Sequence, residues 1–173
     1  MTPRFFHLLV LVGALLCPTG ARAQRQADID AVNRLIDRYG ALEDSMNMPA
    51  QAQLMSPDRV WIAQGAGRRT DQAANMRIQQ AAFDALKRTV PGIATFTEDR
   101  DRLIKVHANG AVAVASFFRY TTNILPATVA PDIAKAFAAP VPPAAITLVL
   151  EKRDGDWKIV HTHTSALGAP PAH

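Results

Sequence analysis

The chain has 173 residues, 19 basic against 15 acidic side chains, a formal charge of +4, one cysteine and five histidines. A lone cysteine excludes an internal disulfide and a thiolate metal centre, so stability has to come from packing. The basic residues are scattered, and Glu98-Asp99-Arg100-Asp101-Arg102 neutralises itself, which excludes a basic stripe for nucleic acid.

The N-terminus reads as a secretory signal peptide over residues 1–23. Arg4 supplies the positive region, Phe5 to Cys17 the apolar run, and Ala21-Arg22-Ala23 the small-x-small cleavage site before Gln24. The run is too short to span a bilayer, which takes about 20 apolar residues. Leu16 before Cys17 is too large for lipoprotein processing. The expected product is a periplasmic or secreted chain without a membrane anchor, about 150 residues long and of single-domain size. Losing Arg4 and Arg22 also removes two of its positive charges.

In the mature part, Ile29, Val32, Leu35, Ile36, Tyr39 and Leu42 recur at helical spacing behind Asp28, a candidate N-cap. Gly40 weakens the last turn. Pro49 to Met55 predicts a short second helix, and Arg59 to Ala63 a short strand around Val60, Trp61 and Ile62. Gln64-Gly65-Ala66-Gly67 is a loop without the strand and helix context of a phosphate cradle. Thr70 caps a long helix over 71–88, ended by Pro91-Gly92. Strands follow at 95–106 and 111–122, joined at Asn109-Gly110.

Residues 125–144 carry Pro126, Pro131, Pro140, Pro142 and Pro143 and cannot form a regular strand, since proline donates no ladder bond. They read as a surface excursion with a helical turn near 132–138. A closing hairpin spans 145–165 around Asp154-Gly155, and the chain ends in a flexible tail, residues 169–173. Helices followed by strands predict an α+β fold, with the helices packed on one face of a curved antiparallel sheet.

The closing hairpin carries Arg153-Asp154-Gly155, Trp157, Val160, His161, His163 and Ser165, and an earlier strand carries Phe117-Phe118-Arg119-Tyr120-Thr121. These residues resemble the nuclear transport factor 2-like superfamily, which includes SnoaL-like and ketosteroid isomerase-like domains. The likeness runs over 26–170 and is most specific to the association (hub) domain of calcium/calmodulin-dependent protein kinase. The resemblance implies a cone-shaped half-barrel with an internal pocket over 24–168, and a homodimer formed through the sheets.

Strict alternation along the last strand puts Trp157, Ile159, His161, His163 and Ser165 on one face and Val160, Thr162 and Thr164 on the other. The hub comparison instead lines the pocket with Thr162 and Thr164. His161 and His163 are candidates for a metal pair or a general base, since imidazole titrates near neutrality. A zinc site needs three or four ligands, and only the distant His107 could join them, so no metal or cofactor is expected.

Arg119 matches an arginine of the hub pocket and is a candidate anchor for a carboxylate or phosphate. The other hub arginines fall on Leu148 and Thr164, so the resemblance implies a mostly apolar pocket, with Tyr39 and Trp61 on its walls. Tyr39 stands where ketosteroid isomerase-like members carry an oxyanion-stabilising tyrosine. The matching base would fall near Ile62 or Ala63 and the acid near Ile146 or Thr147, and no carboxylate stands at any of them. Three functions remain: a module binding a small apolar or anionic molecule, an isomerase, cyclase or dehydratase using a pocket histidine with Tyr39, and a structural dimerisation module.

Overall fold

A computed structural model describes residues 17–63, 67–137 and 139–168. The signal-peptide reading over residues 1–16 and the tail at 169–173 lie outside the described residues. The fold is α+β. Helices α1 (Cys17–Asp44), α2 (Met48–Ala52) and α3 (Gln72–Thr89) lie with six strands: β1 (Met55–Ala63), β2 (Gly67–Arg69), β3 (Ala94–His107), β4 (Val112–Ile124), β5 (Ala144–Arg153) and β6 (Asp156–Ala166). A short helix α4 (Pro131–Ala136) sits in the proline-rich excursion. The strands form one curved, open sheet in the order β2-β1-β6-β5-β4-β3. One pair departs from the antiparallel expectation: β1 runs parallel to β6. The two strands are far apart in sequence, and a parallel neighbour needs the long crossover that the intervening elements provide.

Helix α1 buries Val32, Ile36 and Tyr39 against the sheet, as its spacing predicts. It begins before Asp28, which is not an N-cap. Asp28 is instead a buried side chain inside the helix, ion-paired with Lys152 of β5. Residues 20–27 are exposed, so the core-facing stripe of α1 starts at Asp28. Asp71, not Thr70, caps α3, its carboxylate accepting the Ala74 amide at 2.8 Å. Gly40 is buried because α1 crosses the sheet closely there. A Cβ at this position would stand 3.3 Å from Thr97 Oγ1 and 3.6 Å from Arg119 Nη2.

Three irregularities bend the sheet. β3 shifts register between Arg100 and Leu103, with Asp101 at φ 54°. β1 shifts between Met55 and Val60, around Pro57. β6 holds one extra residue, Val160, because Leu150 pairs with Ile159 while Val149 pairs with His161. Such bulges increase twist and reset which side chains face inward. The expected alternation along β6 is therefore corrected. Trp157 and Ile159 face the core, but beyond Val160 the inward residue is Thr162, not His161.

The main core joins α1, the start of β1 and the concave sheet face, through Ile36, Met48, Leu148, Leu150 and Ile159. A second cluster, Met46, Val90 and Ile93, is covered by Leu125, Val129, Ile133 and Phe137 of the excursion. The proline-rich segment is thus an apolar cap on one end of the sheet rather than a loose loop.

Candidate functional site

Cross-strand partners share a face of a sheet. One concave row runs Trp61, Thr162, Leu148, Ala115 and Ile104, and the next runs Ala63, Thr164, Ile146 and Phe117. Arg119 follows Phe117 on the same face of β4 and pairs with Asp99 of β3. The expected wall residues Trp61, Thr162 and Thr164 and the candidate Arg119 therefore all belong to the concave face, with Tyr39 covering it from α1.

His161 and His163 do not join them. His161 pairs with Val149 and His163 with Thr147, which puts both on the convex face, and His163 is exposed. The expected partnership of a strand histidine with Tyr39 is corrected: the sheet stands between them. Among the described residues no group of three His, Cys, Asp or Glu side chains is placed to hold a metal ion.

Two buried polar clusters occupy the concave side. The first is built on Arg119, only 4% exposed. Its Nε and Nη2 donate to the two oxygens of Asp99 at 2.7 and 2.8 Å, a bidentate fork, and Nη1 donates to Glu43. Its carbon also lies 5.0 Å from the centre of the Tyr39 ring and 5.6 Å from that of Phe117. Burial opposes the charge, but the Asp99 hydrogen bond and the Glu43 carboxylate outweigh it and hold the guanidinium above its ordinary pKa. The charge expected to anchor a ligand anion is thus already matched by two carboxylates of the chain itself.

Within this cluster Asp99 is 3% exposed and Glu43 29%. Burial lifts the Glu43 carboxyl above its ordinary value, with Arg119 opposing and Asp99 reinforcing the rise. Burial and the Glu43 charge likewise raise Tyr39, which keeps its hydroxyl protonated. Gln51 ties the cluster to α2, donating to the Tyr39 carbonyl at 3.1 Å. A cleft of about 200 Å³ between α1 and β3 reaches Asp99 beside Gly40, Thr97 and Arg102.

The second cluster centres on Arg59, 2% exposed. Nη1 donates to the Thr162 hydroxyl at 3.4 Å and Nη2 points to Met76 Sδ at 3.9 Å. Its Nε has no partner among the described residues. Sequence reasoning singled out neither Arg59 nor the carboxylates Glu43 and Asp99. A charge two residues before Trp61 in an apolar strand was the visible signal for Arg59. For Asp99, alternation with Thr97 away from the exposed Glu98–Arg100 pair would have pointed inward.

The family model of the SnoaL-like domain matches residues 32–169, which spans both clusters and every strand. The chain belongs to the SnoaL-like family. Solved structures of the same architecture agree with this membership. A nuclear transport factor 2-like protein with a cystatin-like fold from Novosphingobium aromaticivorans is 20% identical, with 91% of this chain and 93% of that one covered and a TM-score of 0.67. A protein from the same organism, provisionally called a scytalone dehydratase, is 12% identical over 88% and 92% of the two chains, at 0.63. A Xanthomonas campestris protein provisionally called a calcium/calmodulin-dependent protein kinase II association domain is 21% identical over 80% and 87%, at 0.60. At these identities the likeness establishes the fold of this SnoaL-like domain. Among curated proteins none matches the chain significantly.

Proposed function

We propose that this SnoaL-like domain binds a small, largely apolar molecule bearing a hydroxyl or carbonyl group, on the concave side of the sheet beneath α1. The observation that carries the reading is the Tyr39–Glu43–Arg119–Asp99 cluster. An apolar core has no need of four ionisable groups, and buried polar sets of this kind are costly unless they specify something. With Arg119 already paired, the cluster presents a phenol and a partly exposed carboxyl, which suit an uncharged hydroxyl or carbonyl group on a ligand. The test is thermal unfolding with 1-naphthol, a neutral hydroxylated aromatic. A saturable rise in Tm that shrinks in Tyr39→Phe and Glu43→Gln supports the reading, and an absent rise in the parent protein sinks it.

A second reading is favoured by the elevated Glu43 carboxyl beside a phenol donor: proton transfer of the dehydratase or cyclase kind, with Glu43 as acid or base. One structural neighbour carries a provisional dehydratase name. Deuterium uptake at the α-carbon of 2-tetralone distinguishes the two. Catalysis above the buffer rate, lost in Glu43→Gln, establishes an enzyme, and exchange at the buffer rate leaves only binding.

Export and dimerisation belong to the same proposal. Cleavage after Ala23 leaves the packing stripe of α1 intact, because that stripe starts at Asp28. A second copy covers the convex face, where Ile62, Leu103 and Phe118 are exposed.

A further inference from the structure

Arg59 poses an unsolved problem of charge within the fold. Its guanidinium is 2% exposed, and among the described residues no carboxylate forms an ion pair with it. Its neighbours are neutral: the Thr162 hydroxyl, the Met76 thioether and the Tyr39 phenol. Nε has no acceptor among the described residues. A buried cation without a counter-charge costs several kcal/mol, a cost that an anion bound beside it would offset. The contrast with Arg119, held by two carboxylates, is direct.

A groove lies on the outer side of its Met76 neighbour. Its volume is about 500 Å³, and it runs between α2 and α3, lined by Pro49, Ala52, Gln72, Ala73, Met76 and Gln80 among others. Met76 forms part of the groove wall and touches Arg59 on its inner side, so one flexible side chain separates the groove from the guanidinium. The preceding residue of α3, Asn75, is 2% exposed and leaves both polar atoms of its amide without partners among the described residues. Next to Met76 in sequence, α3 thus carries polar capacity that no described residue uses.

We propose that Arg59, with the Thr162 and Tyr39 hydroxyls, forms an internal anion site that takes the carboxylate or enolate of a small planar molecule entering through the α2–α3 groove past Met76. The proposal rests on the reading that this domain binds a small molecule inside the sheet, and it names that ligand's charged group. A guanidinium fork matches a planar two-oxygen anion in-plane, and the two hydroxyls can turn to donate to it.

The test uses benzoate and its uncharged ester, methyl benzoate, with the purified protein. Benzoate is expected to raise Tm saturably and by more than the ester does. Arg59→Met, which removes the buried charge at similar volume, is expected to lose the benzoate shift and keep the ester shift. Should Arg59→Met fail to fold, Arg59→Lys decides, because it keeps the charge but loses the fork; benzoate binding should weaken about tenfold. Met76→Ala should raise the benzoate association rate severalfold. A benzoate response in Arg59→Met or Arg59→Lys equal to that of the parent overturns the anion site. An ester response without any benzoate response overturns it too, while sparing the broader binding reading. No response of the parent to either probe overturns the anion site, and the 1-naphthol shift then decides the broader reading. An unchanged association rate in Met76→Ala overturns the entry route.

Discussion

At the scale of single residues, the two interior arginines have opposite consequences for stability. Removing Arg119 leaves Asp99, 3% exposed, with the longer 3.7 Å contact to Arg102 in place of the bidentate fork. Arg119→Met is expected to cost about 3–5 kcal/mol in urea unfolding, the usual effect of orphaning one member of a buried pair. The double variant with Asp99→Asn should recover part of that loss, because the orphaned charge is gone. Glu43 makes a pH prediction. Its carboxyl is raised on folding, so the native state holds the proton more tightly than the unfolded chain does. That contribution is fully present below the ordinary value of 4.5 and is lost as pH climbs through the raised native value. Glu43→Gln should remove this part of the decline, and urea titrations from pH 4 to pH 7 should show the parent losing stability relative to the variant. A parent that gains on the variant over that interval would mean that Arg119 outweighs burial.

At the scale of elements, the excursion between β4 and β5 is more than a connection. Its proline content forbids a strand, yet Leu125, Val129, Ile133 and Phe137 are spaced so that apolar side chains return to one place, over Met46, Val90 and Ile93. Val90 is 1% exposed and Met46 2%, covered by this segment together with Phe83 and Leu86 of α3. Replacing residues 127–141 by a short glycine-rich turn should cost about 2–5 kcal/mol, comparable to emptying a buried aliphatic site, and should increase binding of a hydrophobic dye. A variant as stable as the parent would show the segment to be dispensable. The Val160 bulge acts at the same scale. One extra residue in β6 separates the inward Ile159 and Thr162 by three positions, not two, and so sends both histidines to the far side of the sheet.

At the scale of the whole molecule, the sheet has a polar-clustered concave side under α1 and a convex side with few covering elements. Convex rows run Val60, His161, Val149, Val114 and Lys105, then Ile62, His163, Thr147, Ser116 and Leu103. Leu103 is 55% exposed, Phe118 38% and Ile62 36%, apolar positions spread over the face that the proposed second copy would cover. The double variant Ile62→Asp and Phe118→Asp is expected to shift light scattering from dimer to monomer while leaving the circular dichroism spectrum unchanged. A dimer that survives both charges would locate the interface elsewhere.

The amino-acid order alone carried the architecture. Helical spacing from Ile29 to Leu42, the proline-rich break after Leu125, and the Asp-Gly hairpin with its tryptophan and paired histidines were enough for the α+β fold and the family, because local periodicity and turn chemistry are written in adjacent residues. Tyr39, Trp61, Thr162, Thr164 and Arg119 were expected at the pocket through the family resemblance, not through alternation along their own strands. Which charges meet was not legible. Asp99 looked like one member of a self-neutralising surface run, Glu43 like a helix terminus and Arg59 like a strand flank, and Arg119 looked free. Pairings across 20 and 76 residues of sequence separation depend on strand register and on how closely Gly40 lets α1 approach. Register in turn depends on bulges that shift the inward face by one residue without any signal in the alternation itself. Only the tertiary structure could decide that Arg119 is satisfied and that Arg59 is not, because a counter-charge is a matter of distance in space.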